Sequence, residues 1–401
     1  MNKTRLNTIG IEKRGIGFPE MLIALLPILG AYKIGPAAIS FWILLALDIY
    51  SIIKLKKIQY TNMKPLLVFI VYFLIHEAIL VMIGPKGGSI NINYRIEQLT
   101  FLVSIILIVP ILDMKKLSRS INIVAVISMV GLLYQVIIVF NGGLVHPIEI
   151  PGLVMSEHRL EAVSIRPSSF FMEPAAYANY MFAPIVIALI DRKVWWAALL
   201  IVFMFLTTST TGIVAAFIIV GVFVIVDRTV SKRNIILIII SMLLLYGLTH
   251  LSIFETGMEK LESTEIESNV RTHQGPLIVS TMHFDEMIFG VRYGDASNYC
   301  ESGRVDFSKV VFYDDGAVYM SSFWLLILRF GIVGLLLYLF IFFRVAKNCR
   351  ETIPYVVVLL VTLFTGSMFI GVGFVYSVII LYVTSRQFNS KIITNDESSS
   401  Y

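Results

Sequence analysis

The chain contains 401 residues, of which 57% are hydrophobic and only 15% are charged. Soluble domains are about half apolar and about a quarter charged, whereas apolar runs of about 20 residues, long enough to cross a bilayer core, recur along this sequence. This composition excludes a soluble globular enzyme, a disordered chain and a disulfide scaffold. The net charge of +5 comes from loops on one side of the membrane, so nucleic acid is not an expected partner.

The predicted fold is an all-α polytopic membrane protein with about 12 transmembrane helices, 11 being the alternative. The first apolar run has no small-residue cleavage site, so we interpret it as a retained span rather than a signal peptide. The stretch 354–385 is long for one helix and short for two, and its glycine cluster favours two short helices. The spans before it are predicted at 16–32, 36–53, 65–83, 95–112, 120–140, 174–190, 194–208, 212–227, 234–250 and 318–343.

Basic residues set the orientation of these spans. Of the 32 lysines and arginines, 21 fall in loops on one side, and positively charged short loops remain cytoplasmic. Both termini are therefore predicted to be cytoplasmic, and Cys300 and Cys349 are expected on opposite faces, where they cannot pair. The 21 basic residues are Lys3, Arg5, Lys13, Arg14, Lys54, Lys56, Lys57, Lys64, Lys115, Lys116, Arg119, Arg192, Lys193, Arg228, Lys232, Arg233, Arg344, Lys347, Arg350, Arg386 and Lys391.

Two long connections lie on the predicted outer face, at 141–173 and 251–317. Long loops in a compact fold usually carry function or are disordered, and the aromatic residues, prolines and aliphatic patches of these two indicate that they pack on the membrane domain. The sequence contains no repeat or soluble domain, so we interpret 1–401 as a single membrane domain. Its polar end, 386–401, is expected to be a loose cytoplasmic tail.

The first long connection ends in a polar motif, Arg166-Pro-Ser-Ser-Phe-Phe-Met-Glu173-Pro174, immediately before a span. Pro174 suits the first turn of a helix, so Glu173 could simply cap the positive helix end, with Arg166 as an ordinary surface charge. However, an arginine beside apolar residues at the outer membrane face favours an anionic partner such as phosphate.

The second long connection supplies the other candidate residues, which are Arg271, His273, Arg292, Tyr313 and Asp314. The connection begins with an acidic run, whose simplest interpretation is a solvated helix face. Arg271 and Arg292 could pair with those carboxylates, which would be a structural role, or they could bind an anion.

The Arg166–Pro174 motif resembles the signature of bacterial O-antigen and capsule polymerases of the Wzy type. In that pattern an arginine, small residues and an aromatic residue precede Glu-Pro at the outer end of a span. Residues 270–345 resemble the second large periplasmic loop of that family and the following span, which here carries Gly331-Ile-Val-Gly334. The resemblance covers about 164–212 and 270–345.

The sequence departs from the related patterns at three places. Thr210 follows Ser209 where arginine is common, and Arg292 replaces the middle glycine of a glycine-rich stretch, Gly290–Gly294. Met320-Ser321 stands where the related O-antigen ligases often have His-Asn. The last departure disfavours a ligase more than a polymerase.

The resemblance implies a GT-C-like integral-membrane glycosyltransferase in the bacterial plasma (inner) membrane, with neither a metal nor another cofactor. Such polymerases act on the outer face on oligosaccharide repeat units linked to undecaprenyl diphosphate. They move the growing glycan onto the next lipid-linked unit and release undecaprenyl diphosphate. The expected partners are this lipid-linked oligosaccharide, the lipid bilayer and, in the same pathway, a flippase and a chain-length regulator.

The chemistry of such a reaction assigns roles to the candidate residues. Negative charge develops on the leaving diphosphate, and without a metal it must be stabilised by fixed cations, for which Arg166, Arg271 and Arg292 are the candidates. The attacking sugar hydroxyl needs a proton acceptor, for which Glu173 is the first choice. The remaining candidates for substrate binding are Ser209, His273, Tyr313 and Asp314, of which His273 and Asp314 are also weaker candidates for the base.

Other functional classes stay open at this stage. A secondary transporter or flippase should show related halves and polar groups at the membrane midplane, but the sequence has no internal repeat. Its one transporter-like feature is the mid-span pair His76-Glu77, which could instead bind Arg329 and hold helices together. An O-antigen ligase would belong to the same enzyme class with a different acceptor, and a sensor or scaffold would not need arginines at the outer face.

Overall fold

A computed structural model describes residues 15–35, 37–55, 63–155, 166–226, 236, 240, 247, 270–306, 310–311, 318, 320–366 and 369–398. The predicted span 234–250 lies almost entirely outside these residues, as do Tyr313 and Asp314.

The described residues are mostly helical. The helices are α1 (Phe18–Leu29), α2 (Ile39–Lys54), α3 (Lys64–Ile83), α4 (Ile92–Ile108), α5 (Met114–Phe140), α6 (Pro174–Ile190), α7 (Val194–Phe205), α8 (Thr210–Val226), α9 (Val270–Val279), α10 (Phe284–Phe289), α11 (Ala296–Tyr299), α12 (Ser322–Asn348), α13 (Ile353–Thr365) and α14 (Val372–Ser398). Short 3₁₀ turns follow α4 and precede α13, and a π-helical turn follows α11.

Several helices are apolar enough to lie in a membrane. Among the described residues, Lys64–Ile83, Ile92–Ile111, Met114–Phe140 and Ser322–Asn348 are also long enough to cross it, and α1, α6, α7, α8 and the first part of α14 are shorter apolar helices. The protein is therefore a helical polytopic membrane protein. The stretch 354–385 forms two helices, α13 and α14, as predicted, and α14 continues to Ser398, past residue 386 where a loose tail is expected.

A small sheet corrects the expectation of a purely helical fold. Strand β1 (Tyr32–Ile34) pairs antiparallel with both β2 (Ala37–Ala38) and β3 (Val154–Met155). The hydroxyl of Tyr32 also accepts a hydrogen bond from the Ile150 N–H at 3.0 Å. The main-chain groups of a connection packed against apolar helices need partners, and these contacts supply them. The first long connection thus lies across the turn between α1 and α2.

Hydrogen bonds between helix ends identify two ends of the helical bundle in the described part of the chain. At one end, the Asp113 N–H donates to the Glu20 carboxylate at 2.9 Å, and the Arg386 guanidinium donates to the Val109 carbonyl at 2.8 Å. At the opposite end, the Ser322 N–H donates to the Gly366 carbonyl at 3.1 Å. This second end also contains the start of α6 and is called the site end below.

Helix α12 is broken at Gly331, which has φ +67° and ψ −175°. Residues 322–330 and 332–348 therefore form two helical segments. Tyr72, in the middle of α3, donates to the Phe330 carbonyl at 2.7 Å and so satisfies a group that the break releases. Helix α10, from the second long connection, packs against this break. Cys300 and Cys349 are buried and unpaired.

Candidate active site

Arg166 joins the first long connection to the turn between α7 and α8. Its Nε donates to Thr208 Oγ1 at 3.1 Å, and its guanidinium also donates to the Thr208 carbonyl at 2.9 Å. Thr208 has a positive φ of 54°, which is strained for a β-branched residue. Burial lowers the pKa of Arg166 and the negative charge of Glu173 raises it in part, so the two charges interact.

The two serines of the motif have structural roles. Both Ser168 N–H and Ser169 N–H donate to Oε1 of Gln135, a fully buried residue of α5, at 2.9 and 2.6 Å. The Gln135 amide in turn donates to the His146 carbonyl at 2.5 Å. One carboxamide therefore fixes the turn that separates Arg166 from Glu173.

Glu173 stands at the first position before α6, followed by Pro174 in the first turn. Its main-chain carbonyl accepts the Ala176 and Tyr177 N–H groups, but its side chain makes no capping hydrogen bond. Glu173 is therefore the N-cap residue of α6, as the simpler interpretation has it, but without a side-chain hydrogen bond to the first turn. The Glu173 side chain instead lines a cavity of about 530 Å³ at the site end.

This cavity lies among the site ends of α1, α6, α8, α12, α13 and α14. Its size falls within the roughly 300–1,000 Å³ of small-molecule sites. Its polar lining includes Glu173, Asn179, Thr211, Thr362, Tyr376 and Ser377. Thr211 connects the cavity to the turn that binds Arg166, so Arg166, Glu173 and the cavity form one region.

Ser209 contributes to this region through the backbone. Its Oγ accepts the Gly212 N–H at 3.3 Å, and the side chain is only 2% exposed. Ser209 thus caps the start of α8. This hydrogen bond gives Ser209 a structural role beside its predicted role in substrate binding.

The segment Gly290–Gly294 is fixed through its main chain. The Val291 N–H donates to the Leu328 carbonyl at 2.8 Å, and the Arg292 carbonyl accepts the Lys86 N–H at 2.6 Å. The Gly294 N–H donates to the Gly87 carbonyl at 3.2 Å. Within the described part of the chain, the partly exposed Arg292 side chain forms no hydrogen bond, ion pair or ring contact. The fold therefore holds the backbone of this segment and leaves the Arg292 side chain available.

A buried charge cluster lies beside this segment. Glu77 on α3 accepts from Arg95 on α4 at 3.3 Å and from Arg329 on α12 at 3.1 Å, and His76 lies 3.7 Å away. The three charged side chains are only 10–12% exposed. Arg95 also donates to the Gly294 carbonyl. The predicted pairing of Glu77 with Arg329 is confirmed, and the cluster connects three helices to the second long connection.

A second ion-pair cluster joins the second long connection to the connection between α3 and α4. Glu286 on α10 contacts Lys86 at 2.6 Å and Arg304 at 2.7 Å, and it accepts the His283 N–H at 3.1 Å. Burial alone would raise the pKa of Glu286, but these hydrogen bonds and positive charges outweigh burial and lower it. Glu286 therefore stays ionised and holds α10 against the connection between α3 and α4.

The remaining predicted residues are placed only in part. Arg271 lies on α9, which packs against α12 and α13, two helices that line the cavity. His273 is exposed on the same helix. Tyr313 and Asp314 lie outside the described residues. No contact in the described residues joins Arg292 to Arg166. Among the described residues, no three His, Cys, Asp or Glu side chains are grouped to hold a metal ion.

The sequence profile of the WcaD colanic acid polymerase family matches residues 23–386. The chain belongs to this family. The match spans both long connections, so the Arg166–Glu173 motif, the residues that line the cavity and the Gly290–Gly294 segment all fall inside it. Membership of the WcaD family supports a polysaccharide polymerase, hence an enzyme of the glycosyltransferase type, and it agrees with the predicted Wzy-type relationship. No curated protein matches the chain.

Sequence reasoning missed Gln135, Thr208 and Arg95. Gln135 has a detectable signal, since a polar residue within a predicted span needs a partner inside the fold. Arg95 falls at the start of a predicted span, on the predicted outer face that is poor in basic residues. Arg166 shares this feature. Thr208 has no such signal, because its carbonyl and left-handed backbone conformation carry the contact.

Proposed function

We propose that this WcaD-family protein polymerises oligosaccharide repeat units carried on undecaprenyl diphosphate. The product would be a surface polysaccharide, namely an O-antigen, a capsule or an exopolysaccharide such as colanic acid. The reaction would take place on the outer face of the bacterial plasma membrane, with both termini in the cytoplasm. The proposal includes about 12 spans, a GT-C-like architecture, and a flippase and chain-length regulator as pathway partners.

The observation that carries this proposal is the meeting of Arg166 and Glu173 beside the cavity at the site end. Glu173 lines a cavity large enough for a sugar. Arg166 lies close enough to Glu173 for the two charges to interact. Glycosyl transfer from a diphosphate needs both a proton acceptor and a cation near the leaving group. The family match and this pair of charges point to the same chemistry.

In the proposed reaction, a hydroxyl oxygen of the acceptor sugar attacks the anomeric carbon of the donor glycan. The bond between that carbon and the diphosphate oxygen breaks, and its electron pair leaves with the diphosphate. Glu173 takes the proton of the attacking hydroxyl. Arg166, Arg271 and Arg292 stabilise the charge on the diphosphate; a hydrogen bond to a charged group contributes about 1.5–3 kcal/mol, so each arginine would change the rate roughly 10- to 100-fold.

Arg292 gives the sharpest test of this assignment. Its backbone is fixed and its side chain has no partner in the described residues, so Arg292→Ala should leave folding unchanged. Arg166→Ala also breaks the contact with Thr208 and is harder to interpret. Lys33, an exposed basic residue of β1 at the same end, provides the matched control, Lys33→Ala.

The experiment deletes the gene in its host and compares surface polysaccharide on gels after complementation. We expect deletion to reduce the polymer ladder to single repeat units, and Glu173→Gln and Arg292→Ala at normal expression to fail to restore it, whereas Lys33→Ala restores it. Lipid-linked units trapped on the inner face would indicate a flippase instead, and full-length polymer left on its carrier would indicate a ligase. A ladder unchanged by deletion would reject the proposal.

A further inference from the structure

The cavity beside Glu173 has a lining that discriminates between the parts of a lipid-linked sugar. Its walls, formed by described residues, contain no lysine or arginine, and Glu173 is their only acidic residue. A diphosphate inside it would face the Glu173 carboxylate with no lysine or arginine among the described lining residues, which is unfavourable. The lining therefore favours a neutral polar ligand over the diphosphate.

The cavity floor offers groups that recognise sugars. Asn179 lies six residues after Glu173 on α6, so it is about 9 Å deeper along the helix axis. Its Oδ1 atom is shielded from solvent and has no hydrogen-bond partner among the described residues. Buried acceptors are normally satisfied, and a sugar hydroxyl could donate to this one.

Aromatic and small residues complete the floor. The ring of Tyr376 stacks on that of Tyr180 with centroids 5.5 Å apart, and both residues line the cavity. Gly373, one turn before Tyr376 on α14, also lines it, and a Cβ atom at Gly373 would meet no other atom within 4 Å. A larger side chain can therefore be introduced at this position of the cavity wall without a clash at its Cβ.

We propose that this cavity holds the terminal sugar of the acceptor repeat unit, with Asn179 as a specificity-determining residue and Glu173 beside the reactive hydroxyl. The donor diphosphate then lies outside the cavity, with the arginines. This inference rests on the proposed function, because it names which part of the substrate the Glu173 cavity binds.

The test uses the purified full-length protein and lipid-linked repeat units extracted from the deletion host. Two inhibitors of polymerisation are compared: the repeat-unit oligosaccharide freed from its lipid, and inorganic diphosphate. The variants are Asn179→Ala and Gly373→Leu. The control is Gly221→Leu, because Gly221 on α8 also has no atom within 4 Å of a built Cβ and does not line the cavity.

We expect the free oligosaccharide to inhibit the wild type and its inhibition constant to rise roughly 10-fold in Asn179→Ala, the equivalent of one lost hydrogen bond. Gly373→Leu should lose this inhibition, whereas inhibition by diphosphate stays unchanged in both variants and Gly221→Leu behaves as the wild type. The proposal is overturned if the oligosaccharide does not inhibit a wild-type protein that polymerises. It is also overturned if the two variants weaken inhibition by diphosphate instead, or if the oligosaccharide inhibits folded Gly373→Leu as strongly as the wild type. A wild type that does not polymerise the extracted units would instead reject the proposed function.

Discussion

Gly290 and Gly331 lie against each other where α10 packs on the break in α12. A Cβ atom at Gly290 would overlap the Arg329 carbonyl, and one at Gly331 would overlap the Ile288 carbonyl. Both residues have positive φ values, +90° and +67°. Each glycine thus allows the other's backbone to approach, and this contact places the Gly290–Gly294 segment, with Arg292, beside α12.

Alanine at either glycine should therefore destabilise the protein. The backbone conformations alone cost about 1–3 kcal/mol each for a residue with a Cβ, and the overlap with a carbonyl adds to that cost. We expect Gly290→Ala and Gly331→Ala to lower the unfolding temperature in detergent. Gly221→Ala, in a helix with open space around it, should leave that temperature unchanged or slightly raised. Equal behaviour of the three variants would show that the contact is not close-packed.

The Glu286 cluster predicts a dependence of stability on pH. Because the pKa of Glu286 is lowered from its ordinary value of 4.5, its ionised form stabilises the fold at pH values above 4.5, and this contribution disappears as the pH falls below that value. At pH 7, Glu286→Gln should lower the free energy of unfolding by about 1.5–3 kcal/mol, which is what hydrogen bonds to a charged group typically contribute.

The measurement compares unfolding temperatures of wild type and Glu286→Gln across a pH series. The difference between the two proteins should be largest near neutral pH and should shrink in acid, since the wild-type carboxylate becomes neutral there. Taking the difference removes the effects of other carboxylates. A difference that stays constant with pH would mean that the ion pairs with Lys86 and Arg304 do not stabilise the fold.

Among the described residues, the sequence predicts the apolar helices well because each is a local apolar run bounded by charges or glycines, whereas it does not predict the short helices α9, α10 and α11. It also places Arg166 and Glu173 together, since both lie within one short motif before a span. The break at Gly331 is different: glycine marks a possible interruption, but only the packed α10 explains why the helix opens there.

The tertiary partners could not be predicted from one sequence. Gln135 fixes the serine turn from 33 and 34 residues away, and Arg166 contacts Thr208 from 42 residues away. Such contacts depend on which helices are neighbours and on how each is rotated, and spacing along the chain does not encode either. The exception is the Glu77–Arg329 pair, for which the high cost of an unpaired charge in a span leaves few candidates.

Gln135 should be essential for the geometry of the first long connection. Gln135→Met keeps the volume of the side chain but leaves the Ser168 and Ser169 N–H groups buried without an acceptor. This should lower the free energy of unfolding by about 1–3 kcal/mol for each group. Gln135→Glu keeps the acceptor oxygens and loses the donor to the His146 carbonyl, so its loss of stability should be smaller. Unfolding temperatures rank the variants, and a Glu variant less stable than the Met variant would contradict this account.

The Glu77 cluster provides a final prediction that separates stability from catalysis. Removing the carboxylate in Glu77→Ala leaves Arg95 and Arg329 as buried like charges, and breaking a buried pair typically costs about 3–5 kcal/mol. In Glu77→Gln/Arg329→Gln one charge of each sign is removed, so the double variant should be more stable than Glu77→Ala. If the double variant recovers both stability and polymer length in the host, the cluster serves to hold the helices together. If the double variant regains stability but makes no polymer, Arg329 acts on the substrate. If Glu77→Ala is as stable as the wild type, the cluster does not hold the helices together.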